Sequence, residues 1–165
     1  MLKGIKRSAF KRDLQLFLIP WILTITLAIV VSLWEFTRGG DTELTLSIST
    51  VVGLALMICG VPLPLIAAGT LRRFYSSTLL IKDGHRLVQH GIYSKVRHPL
   101  YTGTIMVFLG MPLIFSSLCG FALMLLVVPL FVKRIRREEE LLIEEFGAEY
   151  QAYIERSHKL IPFVY

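Results

Sequence analysis

The sequence predicts an all-α integral membrane protein of about four transmembrane helices. The last two form a C-terminal helical hairpin, and a cytosolic amphipathic helix follows them. Three observations lead there. Hydrophobic residues make up 54% of the 165 and charged residues 18%, with a mean hydropathy of +0.62, a balance far from that of ordinary soluble domains. The apolar residues are gathered into long runs on the scale of the about 20 residues that cross a bilayer as a helix. The formal charge of +6 gathers at the ends of those runs, as on the cytoplasmic flanks of membrane helices. Charge of this sign also suits nucleic acid, but its placement makes membrane lipids the expected partner and excludes nucleic acid. The length suits a single domain, with two N-terminal spans in 1–71 and a loop, hairpin and C-terminal helix in 72–165.

The chain opens with a short basic stretch, Lys3, Lys6, Arg7, Lys11 and Arg12, ahead of an apolar run over 14–34. That run is longer than a secretory signal core and no small-x-small site closes it, so it predicts a first span rather than a cleaved leader. Pro20 lies near its start, where a lost hydrogen bond costs least. Arg38, Gly39, Gly40 and Asp41 predict a turn. In the second run, 44–68, Val61-Pro62-Leu63-Pro64 predicts a kink. The carbonyls a kink frees must be buried in protein or face a wet cavity, so it serves either packing or a ligand.

Residues 72–97 are the longest polar stretch, with Arg72, Arg73, Lys82, Arg86, Lys95 and Arg97 against Asp83. Their charge predicts a cytoplasmic loop, turning at Asp83-Gly84. Residues 99–132 are apolar and broken near Phe115-Ser116-Ser117-Leu118, which predicts a tight hairpin with arms 99–115 and 118–136. Gly103 and Gly110, two turns apart on one face, predict a close helix–helix contact. Inside ends at Arg12, Arg72, Arg97 and Lys133 place both termini in the cytoplasm. Residues 133–157 are amphipathic: Arg134–Glu138 and Arg136–Glu140 are spaced as i,i+4 pairs, Leu141, Leu142, Phe146, Tyr150 and Tyr153 supply an apolar side, and Gly147 marks a break. Glu139 and Glu140 are expected in solvent, with Glu139 an alternative to Glu138 in any anchoring role. The tail from Leu160 to Phe163 reads as an anchoring end. Cys59 and Cys119 sit in apolar stretches without a Cys-x-x-Cys or metal-type cluster, so they are expected as packing residues, and no metal is expected.

Between loop and hairpin lies the strip Gly91-Ile92-Tyr93-Ser94-Lys95-Val96-Arg97-His98-Pro99-Leu100-Tyr101-Thr102-Gly103. Proline pushes the residue before it out of the α region and suits the first helical position, so His98 is the expected N-cap and Pro99 the helix start. Such a start carries free N–H groups and partial positive charge, a site for a carboxylate or phosphate. Tyr93 and Tyr101 can stack on a flat ring or donate a hydrogen bond. On local chemistry alone, His98 also suits a plain N-cap, His85 a solvated loop residue, and Arg97 with His98 a turn that meets lipid phosphates.

The pattern Gly-x-Tyr-x-x-x-Arg-His-Pro-x-Tyr-x-Gly, followed by a hydrophobic hairpin, a basic–acidic run and Phe-Gly-x-x-Tyr, resembles the isoprenylcysteine carboxyl methyltransferase family and its phospholipid methyltransferase relatives. The resemblance runs from His85 to Pro162. It implies S-adenosylmethionine as methyl donor, a lipophilic acceptor arriving from the bilayer, and a small membrane fold of a bacterial inner or endoplasmic-reticulum-type membrane. The lack of a strand followed by a Gly-rich nucleotide loop agrees with that fold. Matched residue by residue, His85, Arg86, Leu87 and Val88 correspond to a donor-contacting strip, and Tyr93, His98, Pro99, Leu100 and Tyr101 to further donor contacts. Glu138 corresponds to the acid that holds the donor and Arg134 to the catalytic arginine that handles the acceptor. Around Thr78 the sequence departs from the pattern and lacks its polar donor contact.

The acceptor the resemblance implies is a prenylcysteine-like carboxylate, with a phospholipid amine or a thiol as alternatives. A carboxylate nucleophile needs no base, whereas a protonated amine or a thiol must first lose a proton. No dedicated base stands out. Two further alternatives are a sterol-type reductase using NADPH, whose C-terminal region is similar to this hairpin but whose chains carry many more spans, and a membrane interaction protein without activity.

Overall fold

A helix begun in the basic leader runs on through Pro20, and the next breakers are Gly39 and Gly40. The first helix, α1, accordingly covers Leu2–Arg38 in the computed structural model, which describes residues 2–38, 46–71 and 87–161. It is followed by α2 (Ile48–Gly60), α3 (Pro62–Leu71), a 3-10 turn (Gly91–Ser94), α4 (Pro99–Ile114), α5 (Leu118–Leu125), α6 (Val127–Phe146) and α7 (Ala148–Arg156). Every regular element among the described residues is helical, with one isolated parallel bridge between Val96 and His158. The expectations for the turns at Gly39 to Asp41 and Asp83-Gly84, for Thr78, His85 and Arg86, and for Pro162 and Phe163 concern residues outside the described ones.

Among the described residues, three stretches are long and apolar enough to cross a membrane: Leu18–Arg38, Ile48–Leu71 and Leu118–Phe146. With its 16 residues, α4 rises about 24 Å, less than the roughly 30 Å of hydrocarbon in a typical bilayer. In the second stretch the break is confined to Val61, which keeps helical angles (φ −60, ψ −42) and donates its N–H to Met57. Pro62 then opens α3, giving one kinked stretch as expected.

The hairpin's second arm does not end at 136. Pro129 has no N–H for the Leu125 carbonyl, and the helix pauses at Leu126. Beyond the pause, Val127, Phe131 and Ile135 are all buried, and this i,i+4 stripe draws the helix through the charged run. The amphipathic segment expected as a separate helix is therefore the far half of α6, continuous with the span. It stops where expected, at Gly147, whose φ of +54 lies in the region only glycine enters freely.

At the centre, α4 packs on α2 and α3 on one side and on α5 on the other. Gly103 and Gly110 make the close contact predicted for them. A Cβ on Gly103 would lie 2.5 Å from the Gly60 carbonyl oxygen, and one on Gly53 would lie 2.6 Å from that of Gly110. The two antiparallel helices thus touch backbone to backbone at two levels, the contact that small residues make possible in lipid. α1 meets α5 at a polar seam. Ser117 donates to Glu35 and accepts the Gly120 N–H at 3.0 Å, capping α5, while Ser32 bonds back to the Ala28 carbonyl at 2.7 Å. Cys59 and Cys119 are free and exposed rather than packing residues. Each adjoins a glycine, Gly60 or Gly120, that takes the inward contact instead. Ala28, Met124, Val127 and Phe131 form a buried cluster with Trp21, Ile25, Phe108 and Tyr101 against it. That cluster ends at Tyr101, where the polar chemistry begins.

Candidate active site at the start of α4

His98 is the N-cap of α4 and Pro99 its first residue, as the strip predicts, and the Thr102 N–H bonds to the His98 carbonyl at 3.1 Å. The His98 side chain makes no cap hydrogen bond. It turns towards α6, with Nε2 3.4 Å from a Glu139 carboxylate oxygen. The chain after α7 supports this start. Arg97 and His98 donate their N–H groups to the carbonyls of His158 (2.8 Å) and Lys159 (3.1 Å), and the His158 N–H returns to Lys95 at 2.9 Å. Thr102 Oγ1 donates to the Leu160 carbonyl at 2.8 Å. Tyr153 donates to the Tyr93 carbonyl at 2.6 Å; burial lifts its phenol to about 12, so the proton stays in place near neutrality. Tyr150, edge-on to Tyr153 at 5.8 Å, is 1% exposed, and its hydroxyl has no hydrogen-bond partner among the described residues. Burial, reinforced by the charge of Glu139, raises its pKa.

Glu139 is not in solvent: it is buried, 8% exposed. Arg97 Nε (3.0 Å), His98 Nε2 (3.4 Å) and Lys159 Nζ (2.7 Å) converge on its carboxylate. Glu139 extends the stripe of Val127, Phe131 and Ile135 by one more step of four, so its burial follows from a periodicity present in the sequence. Arg97 also donates to the Ile154 carbonyl at 3.1 Å, to the Ser157 carbonyl and to Ser157 Oγ at 3.3 Å. It therefore ties the start of α4 to α6, α7 and the tail rather than meeting lipid phosphate. Lys159 and Ser157 carried no sequence signal for this role, because the tail's return to α4 is a tertiary event.

A second cluster lies beside the first. Tyr101 accepts a hydrogen bond from Arg134 Nε at 2.9 Å and donates one to Glu138 Oε2 at 2.9 Å. Arg134 and Glu138, one turn apart on α6, are thus bridged by a tyrosine from α4. The Tyr101 ring sits 5.8 Å from His98 and 5.6 Å from Phe131 between centroids. Tyr101, Arg134 and Glu138 are half-buried. Arg136 and Glu140, also spaced as an i,i+4 pair, form no ion pair among the described residues.

Of the residues singled out in the sequence, His98, Pro99, Tyr101, Arg134 and Glu138 come together. Leu100, half-buried, follows them into α4 with its carbonyl bonded to Thr104 at 2.8 Å. Tyr93 is buried within the 3-10 turn, and Leu87 and Val88 are half-buried in the segment leading to it. His85 and Arg86 lie outside the described residues. No group of three or more metal-ligating side chains occurs among the described residues.

Residues 52–144 match the profile of the isoprenylcysteine carboxyl methyltransferase family. A probable protein-S-isoprenylcysteine O-methyltransferase of Oryza sativa subsp. indica is 34% identical over 116 residues, 68% of this chain and 61% of that protein. The protein-S-isoprenylcysteine O-methyltransferase of Saccharomyces cerevisiae is 35% identical over 125 residues, 74% of this chain and 52% of the relative. That of Homo sapiens is 31% identical over 158 residues, 92% of this chain and 56% of the relative. A solved structure of a eukaryotic intramembrane Ras methyltransferase superposes with a TM-score of 0.73 at 30% identity, covering 84% of this chain and 52% of that one. The chain thus spans between 52% and 61% of the length of these relatives. The profile match runs from α2 into α6 and takes in the start of α4 with Arg134, Glu138 and Glu139. With its long apolar helices, the chain is an integral membrane protein of the isoprenylcysteine carboxyl methyltransferase family.

Proposed function

We propose that this chain is an S-adenosylmethionine-dependent methyltransferase that esterifies the carboxylate of a lipophilic, prenylcysteine-like acceptor. The observation that carries this reading is the Arg134–Tyr101–Glu138 relay. It sets a planar cation and a carboxylate on either side of one hydroxyl, where the apolar core gives way to charged side chains. The names of the relatives supply the acceptor class.

The donor's chemistry fits the residues present. Its ammonium calls for an anion, and Glu138 offers one held by a neutral hydroxyl. Glu139 already faces Arg97, His98 and Lys159, which makes it a positioning group and leaves the donor to Glu138. The Leu100 and Tyr101 N–H groups in the first turn of α4 have no partner within the helix and suit the donor's carboxylate. The flat faces of His98 and Tyr101 suit its adenine, together with Pro99, Leu100, Tyr93 and the strip His85, Arg86, Leu87 and Val88. When bound, S-adenosylmethionine supplies a methyl group already activated by the sulfonium charge. Arg134 then holds the acceptor carboxylate with its planar fork, its Nε fixed by Tyr101. Since a carboxylate needs no deprotonation, alignment and exclusion of water are what the site must provide.

In this reading α4 is a fourth span, its short length met by local thinning of the bilayer. The far half of α6 and α7 form the cytosolic cover of the site, both termini are cytoplasmic, and 72–165 carries the site of a single domain. Titration calorimetry of the detergent-solubilised chain tests the donor. Micromolar S-adenosylmethionine binding is expected. Binding of NADPH instead would make the chain a reductase relative, and binding of neither would leave a membrane interaction protein.

A further inference from the structure

The face of α6 turned towards Tyr101 and His98 is taken up by the site, and a different face of the same helix lines a groove of about 730 Å³. Val128, Pro129 and Val132 line its apolar end, and Lys133, Arg136 and Arg137 its basic end, with Glu140 beyond them. From 128 to 140 the helix rises about 18 Å, so the groove passes from apolar to cationic along one helix. That change falls where the span itself passes from apolar to charged sequence. Lys133 and Arg136 are exposed, and neither side chain has a hydrogen-bond or ion-pair partner among the described residues. Lys133 and Arg136 together outweigh the single carboxylate of Glu140, so the basic end is complementary to an anion. A free anion would use the basic end and leave the apolar slot unfilled, whereas an amphiphile with an anionic head fills both.

We propose that this groove binds one anionic glycerophospholipid of the surrounding membrane, its phosphate at Lys133 and Arg136 and an acyl chain along Val128, Pro129 and Val132. Lys and Arg clustered just beyond the apolar part of a membrane helix attract anionic lipid headgroups in this way. The site lies off the Arg134–Tyr101–Glu138 face, so it stands or falls independently of the methyl-transfer reading.

Native mass spectrometry of the full chain, released from detergent containing equal amounts of phosphatidylglycerol and phosphatidylcholine, tests it. Wild type should retain phosphatidylglycerol selectively. The double variant Lys133→Gln/Arg136→Gln should lose about 30-fold in that retention, the worth of two cations near an anionic surface. Val132→Trp fills the apolar slot without changing charge and should also release the lipid; Val128→Phe replaces it if the tryptophan variant does not fold. Lys95→Gln, an equal charge loss at an exposed position away from the groove, should retain wild-type binding. Equal retention of the two lipids by wild type would overturn the proposal. So would a loss in Lys95→Gln as large as in the double variant, which would leave only general membrane electrostatics. Unchanged binding in both folded slot-filling variants would leave a bare anion site, and one-for-one displacement by an S-farnesylcysteine would make the groove the acceptor's own.

Discussion

Two adjacent carboxylates on α6 meet different surroundings, because neighbouring helical residues point about 100° apart. Glu139 faces Arg97, His98 and Lys159, while Glu138 faces the hydroxyl of Tyr101. Removing one partner of a buried ion pair strands the other, at about 3–5 kcal/mol. Arg97 and Glu139 have side chains 8% and 10% exposed, so Glu139→Ala is expected to lose stability of that order in denaturant unfolding in detergent. Glu138→Gln should unfold like wild type and weaken donor binding by about 1.5–3 kcal/mol, the worth of a hydrogen bond to a charged group. The reverse pattern would exchange the two roles. At Arg134, lysine keeps the charge and loses the fork. Arg134→Lys should bind donor nearly as wild type does and turn over about 100-fold more slowly in a single-turnover assay, the scale of a misplaced reactant. Full turnover would make Arg134 a membrane anchor whose charge alone matters.

At the scale of helices, α2 and α4 approach until their backbones touch, and at Gly53 every atom nearest the missing Cβ is backbone, so no side chain there can yield. A Cβ on Gly53 would meet the carbonyl oxygen of Gly110 at 2.6 Å and the N–H nitrogen of Ile114 at 2.7 Å. Gly53→Val should therefore cost at least the about 1–3 kcal/mol of an overpacked core, read as a lower unfolding midpoint in detergent. Gly69→Val, where nothing lies within 4 Å, is the matched control. These contacts mark the boundary of what was legible in the sequence. The helix start at Pro99, the close approach at Gly103 and Gly110, the kink near Pro62 and the stop at Gly147 are each imposed by one residue's own geometry and could be read from it. The end of the hairpin arm could not, because hydropathy marks where a helix leaves lipid and not where its backbone stops. The burial of Glu139 was readable from its place in the stripe with Phe131 and Ile135, though three successive glutamates look solvated. The insertion of Tyr101 between Arg134 and Glu138, and the return of Lys159 to Glu139, join residues far apart in the chain and leave no local trace.

At the scale of the whole molecule, the basic ends of the apolar runs predict the orientation. Reporter fusions at residue 40, at residue 85 and at the C-terminus should read outside, inside and inside. An externally exposed residue 85 would separate the loop from the cytosolic donor and sink the proposed topology. The family match over residues 52–144 takes in Arg97, His98, Tyr101, Arg134, Glu138 and Glu139. The most direct test incubates the purified chain in detergent with methyl-labelled S-adenosylmethionine and an S-farnesylcysteine bearing a free carboxylate. Label is expected in the lipid product and should be released as methanol by mild base, the signature of a methyl ester, with Arg134→Lys strongly reduced. A folded, donor-binding chain that transfers no label to this acceptor, or leaves it base-stable on nitrogen or sulfur, would contradict carboxyl methylation.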